Sequence, residues 1–402
     1  MIATRVVTVA GDPDAEARLT TAFGARHDVD VVFRCVDRVE LLAALRGAAP
    51  DLVVVVGCPV WLDRQSCDEA VTAGVPVVGL AGGADQAEAL AQLGILALPL
   101  DAEPERILDV RASKDALPQA PAALARTIGP RGRVIAVWGP KGAPGRSTVA
   151  VEIAAELAAS ERETALVDAD TYGGDLAQML GVVEELPTLV WACHTAAHSD
   201  GDPDRLLRGL RRIGDSGPVL VPGIPRADLW RDVGEFAWRE LLAALRERFE
   251  SVVVDAGFCL EDDSAAYAVG EGRNAIARQL LRTADSVVAV CRCDPVGLKT
   301  FLWTYSGLTE LVEEDRVFVV ANRVTSGDET AVAELLRRHT GKRPVAYVPD
   351  DPGLLRAAAA KGVSAREHAP SSGVSRALTA VAAGLGAKPR PAGVFARLAG
   401  RA

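Results

Sequence analysis

Residues 134–158, VIAVWGPKGAPGRSTVAVEIAAELA, decide how this chain is read. The apolar run 134–138 has the pattern of a strand buried on both faces of a parallel sheet. A loop rich in Gly and Pro follows, over 139–145. From Ser147 the apolar positions recur at helical spacing, at Val149, Ile153, Ala154, Leu157 and Ala158. Strand, glycine loop and helix form the context that a phosphate-binding loop requires. Gly142 and Gly145 let the backbone turn its N–H groups inward around an anion, and the helix N-terminus adds partial positive charge. Ser147 is placed to put a hydroxyl on a magnesium ion. The general pattern is G-x-x-x-x-G-K-[ST]. Residues 139–148 read GPKGAPGRST, so Arg146 stands where lysine is expected, with Ser147 and Thr148 after it. The plain alternative is a Gly/Pro turn between strand and helix.

Two further strands end in carboxylates. Residues 164–170, TALVDAD, deliver Asp168 and Asp170 at the carboxyl end of a strand, where ligands sit in open α/β sheets. Residues 249–257, FESVVVDAG, deliver Asp255 in the same way, an acidic group aimed at a magnesium ion. A helix cap or turn is the ordinary alternative for Asp-x-Asp, and the position after a strand favours chemistry.

Lys141, five residues before the usual lysine position, makes this segment resemble the deviant loop of the MinD/ParA family of P-loop ATPases. The resemblance extends over residues 133–385 through landmarks in family order: the loop, Asp168-x-Asp170, the Asp255 strand, Asn322-Arg323 and Pro349-Asp350. It implies ATP and magnesium as ligands and a slow ATPase. Lys141, Gly142, Ala143, Gly145, Arg146, Ser147 and Thr148 then cradle the phosphates, and Asn322, Arg323, Pro349 and Asp350 flank the base. Ser147, Asp168 and Asp255 attend the metal, Asp170 positions the attacking water, and Lys141 crosses to the partner's nucleotide in an ATP-dependent homodimer. The chain departs from the family pattern in Arg146 and in lacking a Pro two residues after Asp255.

With 402 residues and 49% hydrophobic composition, the chain is long enough for two or three domains with sizeable cores. A net charge of −10 disfavours a broad nucleic-acid surface, and therefore a DNA-partition role. Only six residues are lysine, which makes Lys141 more informative and leaves coding drift as a plain account of Arg146. Seven cysteines (35, 58, 67, 193, 259, 291 and 293) form no C-x-x-C pair, so free thiols in a reducing cytoplasm are expected rather than disulfides or a zinc site. His194 and His198 lack a third ligand. No signal peptide and no apolar run of membrane-spanning length is seen, which gives a cytoplasmic expectation.

Residues 1–108 alternate strand and helix patterns, with strands expected at 5–10, 29–36, 51–56, 75–81 and 95–98. The reading is a doubly wound α/β domain whose order and spacing resemble a response-regulator receiver. The receiver's acceptor Asp is missing, since the third strand ends Val55-Val56-Gly57, and no lysine follows the fifth at Leu98-Pro99. A pseudo-receiver used for docking or dimerisation is expected, with an unrelated small α/β domain as the alternative. A Pro/Gly-rich linker over 109–132, an ATPase-like α/β domain with a mostly parallel sheet over 133–386, and a basic tail over 387–402 complete the organisation. The acidic stretch 258–273 reads either as a mobile partner-contacting insertion or as a solvated loop. The tail reads as disordered rather than as a membrane-touching helix.

A pseudo-receiver ahead of a MinD/ParA-type domain resembles the CpaE/TadZ branch, which places and assembles Flp-type (tight-adherence) pili; septum-site-determining proteins are close relatives. That resemblance implies pilus-assembly or cell-division partners, with recruitment to the cell pole, septum or inner membrane face. Three readings remain: an ATP-driven dimerising switch, a nucleotide-binding scaffold with negligible turnover, and, disfavoured, a DNA-partition ATPase.

Overall fold

The computed structural model describes residues 3–59, 62, 64–112, 132–142, 144–160, 162–182, 187–198, 203–264 and 272–387. They fall into two compact units that divide near residue 128.

The N-terminal unit carries β1 (Thr4–Ala10), α1 (Pro13–Gly24), β2 (Val29–Cys35), α2 (Arg38–Gly47), β3 (Leu52–Val56), α3 (Arg64–Thr72), β4 (Val77–Ala81), α4 (Ala84–Gln92), β5 (Leu96–Pro99) and α5 (Pro104–Asp109). Its sheet is parallel throughout, in the order β2-β1-β3-β4-β5. The five residues of β3, Leu-Val-Val-Val-Val, are all buried, as a central strand covered on both faces demands. Asp12 caps α1, its carboxylate accepting from the Ala15 amide at 3.0 Å, with Pro13 pre-set for the first turn. Ile107 and Val110 are buried in the same core. Packing of this unit thus includes residues beyond the expected boundary at 108, in the short 3-10 turn Val110–Ala112. α3 was not legible in the sequence, because Arg64–Thr72 is polar and short.

The C-terminal unit carries β6 (Arg133–Trp138), α6 (Arg146–Ala159), β7 (Thr164–Ala169), α7 (Leu176–Met179), α8 (Leu189–His198), α9 (Pro203–Gly209), β8 (Arg211–Arg212), β9 (Val219–Val221), α10 (Glu235–Arg248), β10 (Ser251–Ala256), α11 (Ala275–Thr283), β11 (Ser286–Arg292), α12 (Pro295–Thr309), β12 (Val317–Val324), α13 (Glu329–Thr340), β13 (Ala346–Pro349), α14 (Pro352–Ala359), α15 (Ala365–His368) and α16 (Gly373–Gly384). The sheet order is β13-β12-β11-β6-β10-β7-β9-β8. Every pairing is parallel except that of the two-residue edge strand β8 with β9. This is the α/β, mostly parallel architecture expected from the sequence. β6 lies between β10 and β11, so the glycine loop emerges from the interior of the sheet.

α6 is apolar on more than one face because it is buried on more than one side. Val149, Ile153 and Leu157 join the core of the sheet, while two buried carboxylates turn toward the C-terminal helices. Glu152 accepts the Ala365 and Arg366 amides at the start of α15, and Glu156 accepts from Thr379 on α16 and pairs with Arg366 at 3.1 Å. Buried charges are tolerated here because each has hydrogen-bonding partners. All seven cysteines are free, and among the described residues no helix is long and apolar enough to cross a membrane. The tail over 388–402 and most of the expected linker lie outside the described residues.

Leu157 is fully buried under the loop helix. Leu157→Ala is expected to lower unfolding stability by about 2–5 kcal/mol, read from urea unfolding of the full chain. A loss well under 1 kcal/mol would contradict the packing described for α6.

Candidate functional site

The site lies at the carboxyl ends of β6, β7, β10, β11 and β12. The loop between β6 and α6 makes its turns at Gly142 (φ +100°) and Gly145 (φ +93°). Gly145 is constrained twice. Its backbone lies in the left-handed region, and a Cβ there would stand 2.3 Å from the Asn322 amide nitrogen. That amide, at the end of β12 and buried, donates to the Pro144 carbonyl at 2.7 Å. Asn322 therefore braces the loop from β12, two strands away from β6 in the sheet; the resemblance expects it near the base. Arg292, at the end of the adjacent strand β11, adds a second brace by donating to the Gly142 carbonyl at 2.8 Å.

Arg146 lies across the site. One guanidinium nitrogen donates to the Asp170 carboxylate at 2.9 Å and another to the Gly139 carbonyl at 3.4 Å. Both partners of the ion pair are largely buried, which strengthens the pair relative to a surface one. The other Asp170 oxygen accepts the Tyr172 amide at 2.9 Å.

Asp168 and Asp255 are directly opposed residues of the parallel pair β7–β10, so two carboxylates sit side by side at the strand ends. Both are buried. Burial, and then the charge of Asp255, push the Asp168 carboxyl well above the ordinary range. Burial likewise pushes Asp255 up, opposed by the Arg146 guanidinium and the Ser147 hydroxyl. The two differ in what surrounds them. Asp168 accepts the Leu176 amide at 3.0 Å and the Asp170 amide at 3.3 Å. Gly174 and Gly223 pack against it so closely that a Cβ on either would approach its carboxylate to 3.0 Å or less. Asp168 thus holds the turn after β7, and its oxygens are committed to backbone. Asp255 has one buried oxygen, Oδ1, without a partner among the described residues. That orphaned acceptor beside Ser147 fits a magnesium ion, which favours one or two carboxylates together with phosphate oxygens and water. Among the described residues no set of three or more His, Cys, Asp and Glu side chains makes a metal cage.

The other expected residues are placed as follows. Lys141 is exposed and pairs with no acidic group among the described residues. Thr148 lies in the first turn of α6, half-buried. Arg323 is exposed, with φ +57°, where the register of β12 with β13 shifts; a non-glycine residue there stores strain of about 1–3 kcal/mol. Pro349 ends β13 and packs near Gly373, and Asp350 is exposed beside it. Ala143 lies outside the described residues. The sequence reading missed Arg292, and it missed Arg273 and Asn274 next to the turn after Asp170. No local pattern marks them, since each acts across the fold.

A central parallel sheet, a glycine loop entering a helix, and strand-end carboxylates facing that loop define a P-loop NTPase fold. A family model described as "ParA: NUBPL iron-transfer P-loop NTPase" matches residues 131–196. Among solved structures, a ParA family ATPase from Chlorobium tepidum superposes with a TM-score of 0.54 at 18% identity, covering 62% of this chain and 98% of that one. The MinD cell division protein of Aquifex aeolicus gives 0.50 at 16%, covering 65% and 99%. A substituted form of Cyanothece McdA in complex with ATP gives 0.50 at 15%, covering 65% and 100%. At these identities the likeness is one of fold. No curated protein matches the chain.

The raised pKa values of Asp168 and Asp255 carry a sign. The folded chain binds protons on this pair more tightly than the unfolded chain. Stability therefore falls as pH rises from the ordinary carboxylate range, about 4, through the raised values. Asp255→Asn, without nucleotide or metal, is expected to raise the thermal midpoint at pH 8 by more than at pH 5. Equal shifts at both pH values would show that the pair is not electrostatically strained.

Proposed function

We propose that the C-terminal unit is an ATP-binding switch of the ParA/MinD type, which dimerises with ATP and turns it over slowly. The observation that supports it most is the buried Asp255 carboxylate, which meets Ser147 and keeps one oxygen, Oδ1, without a partner among the described residues. Magnesium, held there by Ser147 and Asp255, would supply positive charge to the phosphate oxygens. The loop amides and Arg146 bind phosphate. Arg146 is planar and forked, so it can pair with two phosphate oxygens, but it fills the loop differently from lysine. Phosphate competes with Asp170 for that guanidinium. Once released, Asp170 has an oxygen free to orient water. Exposed Lys141 at the start of the loop is free to meet a second subunit's phosphates, where a cation offsets concentrated negative charge.

A second reading, a nucleotide-binding scaffold with negligible turnover, is favoured by the Arg146–Asp170 pair itself, which occupies both residues. The net charge of −10 argues against a DNA-partition role.

The N-terminal unit, in this reading, is a pseudo-receiver for docking or dimerisation. The strand order 2-1-3-4-5 supports it, being the order of doubly wound signalling domains. The phosphoacceptor position is Gly57, and the Gly11 and Asp12 amides both donate to the Val56 carbonyl at 2.8 Å, closing the end of β3. Asp12 is committed as a helix cap, and buried Glu16 to Thr8 and Arg34. Together the two units suit the CpaE/TadZ branch and a role in placing an envelope assembly such as a Flp-type pilus, or in septum placement.

Light scattering with and without ATP–Mg, run beside nucleotide binding, tests the switch. Wild type is expected to dimerise with ATP. Lys141→Ala should bind nucleotide as a monomer, and Asp170→Ala should lose hydrolysis. Undiminished ATP-dependent dimerisation of Lys141→Ala would remove the cross-subunit role. On the N-terminal unit, incubation with acetyl phosphate is expected to leave the intact mass unchanged; a stoichiometric acid-labile adduct on residues 1–108 would contradict the pseudo-receiver assignment.

A further inference from the structure

The turn that follows Asp170 is fastened by residues far along the chain. The Arg273 guanidinium donates to the Thr171 carbonyl from Nη2 at 2.8 Å and from Nε at 3.2 Å. It also lies 3.9 Å from the centre of the Tyr172 ring. The Thr171 hydroxyl donates back to the Arg273 carbonyl at 3.2 Å, and the Tyr172 hydroxyl to Asn274 Oδ1 at 2.9 Å. The Tyr172 ring is also met by Phe258, with ring centroids 4.7 Å apart. The acidic stretch after β10 is what holds this arrangement in place: the Asp263 carboxylate accepts the amides of both Arg273 and Asn274, at 3.0 and 3.3 Å. Asn274 is buried and donates to the Glu261 carbonyl at 3.1 Å.

We propose that Arg273, with Tyr172 and Asn274, is a clasp that positions Asp170. The inference rests on the slow-ATPase reading of the site for its kinetic consequence, though not for its geometry. Thr171 and Tyr172 directly follow Asp170, and the Tyr172 amide is one of the two donors that orient its carboxylate. A planar cation suits the position because it can donate twice to one carbonyl while its face stacks on an aromatic ring. None of the clasp residues lies in the glycine loop, so loosening it leaves phosphate binding in place. Misplacing a water-orienting group by a fraction of an ångström to about 1 Å is felt in turnover rather than in ground-state binding. The acidic stretch thereby has an inward task, the support of Arg273 through Asp263.

The test measures steady-state ATP hydrolysis, binding of a fluorescent ATP analogue, and hydrogen exchange of residues 168–176 on the nucleotide-free full chain. Arg273→Ala is expected to lower kcat about ten- to a hundredfold while changing the analogue's Kd by less than about twofold. Arg273→Lys, which keeps a donor for the Thr171 carbonyl, should recover part of the loss. Tyr172→Phe removes the hydroxyl with its bonds to Asn274 and Cys259 but keeps the ring under Arg273; it should show a smaller loss of kcat, and it stands in if Arg273→Ala does not fold. Parallel losses of kcat and affinity, or an unchanged kcat in both variants, would overturn the proposal. If wild-type turnover is no greater than that of Asp170→Ala, the ATPase reading fails by itself and exchange decides the clasp. Faster exchange over 168–176 in Arg273→Ala then upholds it, and equal exchange overturns it.

Discussion

Asp168 and Asp255 stand in register on adjacent parallel strands, two carboxylates taken out of water side by side. Much else in the C-terminal unit follows from keeping that pair tolerable. Neither can be left ionised in a low-dielectric interior without donors or a cation. Asp168 is met by backbone amides, which requires the chain after β7 to fold back over it and requires glycines at 174 and 223 to come that close. Asp255 is left with an unpartnered oxygen and with Arg146 as its nearest cationic influence. One carboxylate is thus built into the scaffold, while its neighbour keeps an oxygen without a partner among the described residues.

Arg146 extends this logic. A lysine at the same place is a point charge on a flexible stem, whereas the guanidinium is a fixed fork. Here the fork spans Gly139 and Asp170 and so ties the loop to the residue that follows β7. Arg146 and Asp170 thus satisfy one another, and in the proposed reading phosphate would have to displace a buried ion pair. That competition would involve the Asp170 carboxylate alone, while Arg273 and Asn274 fasten the turn behind it. The two proposed readings, slow turnover and a scaffold role, differ in whether Asp170 would be released from Arg146 when phosphate binds.

The two units show how little a shared architecture says about chemistry. Both are doubly wound sheets, parallel throughout in the first and parallel but for the edge strand β8 in the second. In the N-terminal unit those ends are closed by backbone: Gly57 offers no side chain, Asp12 caps a helix, and Glu16 is paired beneath Thr8 and Arg34. In the C-terminal unit the ends of β6, β7 and β10 carry the glycine loop and three acidic groups. The carboxylates Glu152 and Glu156, buried on α6, then tie the loop helix to the C-terminal helices, so the loop is anchored through its helix as well as by Asn322 and Arg292 from β12 and β11.

What the sequence determined by itself was local. Runs such as Leu52–Val56 and Ser251–Ala256 are apolar enough that only a buried strand accommodates them, and the 139–148 loop is glycine-rich where the backbone must turn. Strand-end carboxylates were legible because a polar residue closing an apolar run marks its own place. The tertiary structure decided the roles. Asp168 and Asp170 are two residues apart, yet one is enclosed by glycines and amides while the other faces Arg146. Asn322 was visible as a strand-end polar group, but its bond to Pro144 spans 178 positions of sequence. Arg273, Asn274 and Arg292 had no signature at all. Hydrophobic periodicity is written along the chain, where neighbours share an element. The partner of a buried polar group is chosen by which strand ends the fold brings together, and no spacing in the sequence records that choice.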